Sequence, residues 1–201
     1  MIQGQINRGS LLGEKIYQLC LGKDVNNIVD IGTWNGMGTT KCIYDAVVGT
    51  RKNVWSLECN KVRHEEAKMN LGLLPPNFKL LHGTIVNYEE LSPLMDELTD
   101  DTLKTWLKDD LACLASTPNV MDQLPEHIDV CVIDGGEFSG DIEFFRLWER
   151  CKWIVLDDTN ALKHKKTKQF ILRNPTMFRV VEDNTIHRNG YLICEVLNGK
   201  N

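Results

Sequence analysis

Asn27-Ile28-Val29-Asp30-Ile31-Gly32-Thr33-Trp34-Asn35-Gly36-Met37-Gly38-Thr39 is the stretch from which the architecture of this chain can be read. Its first five residues are a short apolar run closed by glycine, which predicts a buried strand. Beyond the glycines, Cys42, Ile43, Ala46 and Val47 recur at the spacing of one helical face, and Gly49 stands where helix ends favour glycine. A glycine-rich turn between a strand and a helix lets a ligand lie against the backbone, and in open α/β sheets ligands bind at that edge. The spacing is GxxxGxG, whereas dinucleotide sites use GxGxxG, and Asp30 stands two places before the first glycine. A carboxylate there suits a positively charged ligand and repels a pyrophosphate.

Working outward, strands alternate with helices. Ser10 can cap a helix over 11–21, with Leu11, Leu12, Ile16 and Leu19 on its apolar face. Strands are predicted over 53–58, 78–81, 128–134 and 153–157, with helices over 61–70, 140–150 and, strongly basic, 162–173. Pro75-Pro76 and Pro175 break the chain, and Asn189-Gly190 signals a turn between two last strands over 177–182 and 191–197. Residues 86–126 carry no strand signal and about two helices, near 89–98 and 101–114. Residues 88–127 hold ten carboxylates against Lys104 and Lys108, which reads either as a solvated acidic face or as a cap over a site. The alternation implies a doubly wound α/β sheet, parallel except at one edge, where the last two strands meet without a helix between them.

With 201 residues the chain suits one domain over 1–201, and a chain this long buries about 70% of its unfolded surface. Hydrophobic (42%) and charged (25%) fractions are ordinary, which excludes a disordered chain. No apolar run approaches the roughly 20 residues of a spanning helix. MIQGQINRGS lacks the apolar core of a signal peptide, so a cytoplasmic location is expected. A net charge of −5 argues against a nucleic-acid partner. The seven cysteines form no CxxC pair and most sit in apolar company, so they are expected to be reduced, buried hydrophobes.

Glu58 ends the second predicted strand, where a carboxylate can accept both hydroxyls of a ribose. Strand–DIGxxxGxGT–helix–strand–Glu resembles the cofactor site of class I S-adenosylmethionine-dependent methyltransferases, over nearly the whole chain. The resemblance implies a Rossmann-like seven-stranded sheet of order 3-2-1-4-5-7-6 with one antiparallel strand. It implies S-adenosylmethionine as cofactor, with Asp30, Gly32, Thr33, Trp34, Gly36 and Gly38 around its methionine part. Glu58 would hold the ribose, Cys59 and Asn60 would flank the adenine, and Gly83 and Thr84, with Asp134, would add contacts. His82 reads either as a further adenine contact or as a satisfied histidine at a strand end. Trp34 and Trp55 read as core or as a stacking wall.

The fourth and fifth predicted strands end in Asp134 and in Asp157-Asp158, so three carboxylates converge on the edge that carries the glycine loop. Such carboxylates repel one another unless a cation joins them, and hard oxygen ligands suit Mg²⁺, Mn²⁺ or Ca²⁺. The alternative is that one aspartate caps the next helix and another meets the cofactor amine. IDGxxxxxG followed by a strand ending in DD is similar to the metal-assisted small-molecule and sugar O-methyltransferases. There, aspartates at the positions of Asp134, Asp157 and Asp158 hold a Mg²⁺- or Mn²⁺-type ion that acidifies the acceptor hydroxyl. One position departs from that pattern: where those relatives carry histidine or lysine three residues after the first aspartate, this chain has Glu137. Glu137 and His164 are the candidate bases, and Glu137 could equally add a metal ligand or mark an altered or lost proton transfer. The run Lys163-His164-Lys165-Lys166 with Lys168 reads as a solvated helix face or as a basic rim for an anionic acceptor such as a sugar nucleotide. Asp157-Asp158-Thr159-Asn160 is not the [DN]PPY of amino-methylating relatives, which favours oxygen as the acceptor.

The expectation is therefore an O-methyltransferase acting on a small-molecule or sugar hydroxyl. Its acceptor would be recognised by the 86–126 insertion, the N-terminal helix or a second subunit of a homo-oligomer. Two other classes remain open on sequence: a nicotinamide-dependent Rossmann oxidoreductase, and a non-catalytic cofactor-binding module of the same fold.

Overall fold

The computed structural model describes residues 3–197. Helix α1 (Leu11–Leu21) begins at Ser10, whose hydroxyl accepts from the Gly13 amide. Its buried face is Leu12, Ile16 and Cys20, while Leu11 turns to solvent, so the apolar stripe is rotated from the expected one. Strand β1 (Asn27–Ile31), helix α2 (Thr39–Val47), strand β2 (Asn53–Glu58), helix α3 (Lys61–Leu71) and strand β3 (Phe78–His82) follow. The segment expected to be largely helical holds two single-turn helices, α4 (Tyr88–Leu91) and α5 (Leu94–Glu97), then α6 (Asp101–Leu114). Next come β4 (Ile128–Ile133), α7 (Gly140–Leu147) and β5 (Cys151–Asp157). The basic helix is split: a 3-10 turn, Leu162–His164, precedes α8 (Lys165–Arg173). Strands β6 (Phe178–Asn184) and β7 (Tyr191–Val196) end the fold.

The seven strands form one sheet of order β3-β2-β1-β4-β5-β7-β6. β1 to β5 run parallel, and β7 is antiparallel to both β5 and β6. Central strands covered on both faces are mostly apolar, and β4 is buried at every residue. Edge strand β6 begins with buried Phe178 and then alternates exposed with half-buried residues, as expected where one face meets water. Successive residues of β1 point to opposite faces, so Ile28 joins a core with α1 and α2, while Val29 and Ile31 join a core with α6, α7 and α8. Leu107, Leu111 and Leu114, one helical stripe, dock α6 into that second core. Among the described residues no helix is long and apolar enough to cross a membrane.

Candidate functional site

The parallel strands place their carboxyl ends on one edge, and every expected site residue belongs to a strand end or to the loop after it. The turn after β1 is clamped to β2: Gly32 N and Thr33 N both donate to Leu57 O at 3.0 Å. Gly32 has φ +96°, and a Cβ there would stand 2.1 Å from Asp134 O, so only glycine lets β1 and β4 close this tightly. Trp34 follows with φ +51° and donates its amide to Glu58 Oε2 at 2.6 Å. Glu58 Oε1 accepts from Asn60 N at 2.8 Å, so this carboxylate ties the glycine turn to the start of α3. Burial pushes the Glu58 carboxyl up to about 7 against those two amides.

Two of the expected cofactor residues lie behind the turn. Asp30 is fully buried, and its Oδ2 accepts from Thr40 Oγ1 (2.6 Å) and Ser56 Oγ (2.7 Å). It braces α2 against β2 beneath the loop and lines no cavity; burial raises its carboxyl to about 6. Gly36 faces α3, where a Cβ would press on Leu71 and Ala67. The contact role expected for these two is corrected to support, because β1 alternation turns Asp30 to the α2 face of the sheet and Gly36 packs against α3.

Two adjoining cavities share Gly32, Trp34, Asp134 and Gly135. The first, about 340 Å³, is bounded by Glu58, Cys59, Gly83 and Thr84, as expected for a nucleoside. Sequence reasoning missed its opposite wall: Asp109, Asp110, Cys113 and Leu114 of α6, and Glu143 of α7. Part of the acidic insertion is thus a wall of this cavity. The signal available was the Leu107–Leu111–Leu114 stripe, which docks α6 and so aims its flank at the strand ends. Glu143 is 4% exposed, and its Oε2 has no hydrogen-bond partner. Burial raises Glu143 to about 7 and Asp110 to about 6. His82 is a strand-end histidine, its ring nitrogen 3.2 Å from Cys59 O and outside the cavity; Trp55 is core and Trp34 is wall.

The second cavity, about 330 Å³, lies over Thr33, Gly38 and Thr39 and is roofed by residues 4–6. Here Asp134, Asp157 and Asp158 each present a carboxylate oxygen, all within 4.8 Å of one another. Two cations reach these carboxylates. Lys163 Nζ stands 2.8 Å from Asp134 Oδ1 and 3.7 Å from Asp158 Oδ2. Arg188 stands 3.4 Å from Asp157 Oδ2 and 3.8 Å from Asp158 Oδ1. Burial and the two neighbouring aspartates push Asp157 up to about 7. Burial opposes the charge on Lys163, but Asp134, Asp158 and Asp157 outweigh it and hold the ammonium above the ordinary lysine value. Lys163 is therefore neither a solvated face nor a rim; it is 4% exposed inside the site. Among the described residues, the non-glycine positions with positive φ are Trp34, Asp158 and Arg188, and all three line this cavity. Strain concentrated in this way marks a functional site.

Neither candidate base lines a cavity. Glu137 Oε1 accepts from Leu162 N at 3.1 Å, where it caps the 3-10 turn. His164 is fully buried, its Nε2 3.3 Å from Ile133 O, and burial, then Lys163, lowers its pKa to about 3, so the ring is neutral and structural. Their expected catalytic roles are corrected accordingly.

No family model matches the sequence, and no curated protein matches it. Solved structures do match. An O-methyltransferase from Bacillus cereus in complex with SAH aligns over 92% of this chain and 80% of its own, with TM-score 0.62 and 14% identity. An SAH-bound methyltransferase from Podospora anserina aligns over 92% and 77%, with TM-score 0.59 and 11% identity. A methyltransferase from Geobacter sulfurreducens aligns over 92% and 78%, with TM-score 0.55 and 14% identity. The chain has the class I S-adenosylmethionine-dependent methyltransferase fold.

Proposed function

We propose that this chain is a methyltransferase that moves the methyl group of S-adenosylmethionine to a hydroxyl of a small molecule. The observation that carries the reading is one continuous cleft with Glu58 at its nucleoside end and the three aspartates at its far end. The residues suit the cofactor: Glu58 keeps lone pairs for two ribose hydroxyls, and Glu143 Oε2 is a buried acceptor without a partner. The carboxylate-rich walls favour a sulfonium cation over a pyrophosphate, which also disfavours the nicotinamide alternative. The cofactor, when bound, supplies an electrophilic methyl group whose bonding pair leaves with sulfur. Gly32, Trp34 and Asp134 hold the junction between the cavities, and the acceptor oxygen would enter over Thr39 and Asp158. The carboxylate of Asp158, which lines this second cavity, would take the hydroxyl proton as the new oxygen–carbon bond forms. The finer acceptor class is a sugar or sugar nucleotide, supported by the polar second cavity with Gln5, Lys163 and Arg188.

Asp134, Asp157 and Asp158 are the residues that would hold Mg²⁺ or Mn²⁺, and that ion would acidify the acceptor hydroxyl. As they stand they do not fit it, because the Lys163 ammonium already sits against Asp134 and beside Asp158.

Calorimetry with S-adenosylmethionine and S-adenosylhomocysteine tests the reading. Saturable binding that Glu58→Ala weakens supports it; no heat at millimolar ligand refutes it. Release of S-adenosylhomocysteine on a panel of hydroxylated acceptors then separates an enzyme from a non-catalytic binding module.

A further inference from the structure

We infer that the Lys163 ammonium is the resident cation of the aspartate cluster, standing where a divalent ion would otherwise sit, and that it holds the acceptor oxygen in a metal-independent site. The inference rests on the methyl-transfer reading for its functional half only; the charge arrangement stands by itself.

Lys163 is built into this place. A Cβ on Gly140, the first residue of α7, would lie 2.9 Å from Lys163 Cγ and 2.7 Å from its carbonyl oxygen, so that position leaves room for the lysine to pass. His164 anchors the same turn from beneath through Ile133 O, and Glu137 caps it at Leu162 N. The residue that departs from the metal-assisted pattern thus secures the turn that delivers the cation. The 3-10 geometry of Leu162–His164 turns both Lys163 and His164 inward, whereas Lys165 and Lys166 on α8 point to solvent.

Charge argues the same way. Three carboxylates within 4.8 Å demand a counter-cation. Lys163 and Arg188 supply two positive charges, which leaves the cluster with one net negative charge. A divalent ion added to that set makes the site net positive, and it must either displace Lys163 from Asp134 or sit beside the ammonium. Expelling a lysine that is 4% exposed, from behind Gly140, costs its ion pair and its packing. An ammonium carries three N–H donors, and Asp134 Oδ1 takes one at 2.8 Å. Lys163 lines the 330 Å³ cavity, where a remaining donor can bind an acceptor oxygen.

The test is Mn²⁺ binding, read by electron paramagnetic resonance and calorimetry on the whole chain, in the wild type and in Lys163→Met. The wild type should leave Mn²⁺ free at millimolar concentration. Lys163→Met, with circular dichroism confirming the fold, should bind one Mn²⁺ at least about tenfold more tightly, since removing the ammonium exposes three like charges. Adding Asp158→Asn to Lys163→Met should abolish that gain. Stoichiometric Mn²⁺ binding by the wild type overturns the inference, as does no gain in a folded Lys163→Met. Should Lys163→Met not fold, Lys163→Ala and the wild-type titration decide it alone. S-Adenosylhomocysteine is titrated in parallel; its failure to bind defeats the methyl-transfer reading without touching the metal result. With an accepted hydroxyl substrate, EDTA should leave wild-type turnover unchanged, and Lys163→Met should raise the acceptor KM.

Discussion

Replacing Gly32 with alanine should combine two costs, because among the described positive-φ glycines it is the one whose added Cβ would meet backbone closer than 3.0 Å. The new Cβ would lie 2.1 Å from Asp134 O, 2.5 Å from its carbonyl carbon and 2.8 Å from Gly135 N. All three are backbone atoms, held in place by the Asp134 N to Ile31 O bond of 2.8 Å, so no side chain can swing aside. At φ +96° a left-handed conformation adds about 1–2 kcal/mol for an L-residue, and overpacking a closed site adds about 1–3 kcal/mol. The sum is about 2–5 kcal/mol, which for a domain of this size lowers Tm by about 5–15 °C. Gly49→Ala is the control, because Gly49 has φ +77° with nothing within 4 Å of the added carbon. It carries backbone strain alone and should cost about 1–2 kcal/mol. Urea unfolding followed by tryptophan fluorescence gives both values. Gly32→Ala should also abolish S-adenosylhomocysteine binding, since it pushes Asp134 and Gly135 away from the junction of the cavities, while Gly49→Ala should not. Equal destabilisation by the two substitutions would refute the claim that β1 and β4 close on a contact that only glycine permits.

Glu58→Gln replaces one acceptor by an amide donor facing the backbone N–H of Trp34 or Asn60; we expect a stability loss of about 1–3 kcal/mol and about tenfold weaker cofactor binding, measured by calorimetry. Glu143 has a folded-state pKa raised to about 7 from 4.5, so the stability it contributes is fully present below pH 4.5 and is lost as pH rises through 7. Urea midpoints between pH 5 and 8 should therefore fall less steeply in Glu143→Gln than in the wild type, and equal slopes would count against the assignment. Asp110→Ala should weaken S-adenosylhomocysteine binding while leaving the fold intact, because the α6 wall is anchored by its leucine stripe and not by that carboxylate. Ser10→Ala removes the acceptor for Gly13 N and should cost about 1 kcal/mol in thermal unfolding without changing ligand affinity.

What the sequence by itself determined is the part of the protein governed by local chemistry and strand order. Strand periodicity and helix caps placed nearly every element, while the sheet order, β3-β2-β1-β4-β5-β7-β6, was legible only through the family resemblance that the GxxxGxG turn and Glu58 carry. Strand ends also placed Glu58, Asp134, Asp157 and Asp158 on one edge, since each is simply the last residue of a strand or the residue after it. Tertiary structure alone decided which way side chains turn and what stands opposite them. Asp30 points to the α2 face of the sheet because of its parity in β1, although it is adjacent in sequence to the glycine loop. The α6 wall of the nucleoside cavity arises from a docking angle, which no local pattern encodes. Glu137 and Lys163 meet only in three dimensions, where Glu137 caps the turn after β5 from which Lys163 reaches the aspartates. Read along the chain, Lys163 belongs to a basic, water-facing run. Only the 3-10 turn beneath α8 and the missing side chain at Gly140 carry it inward, where three carboxylates make a buried charge stable.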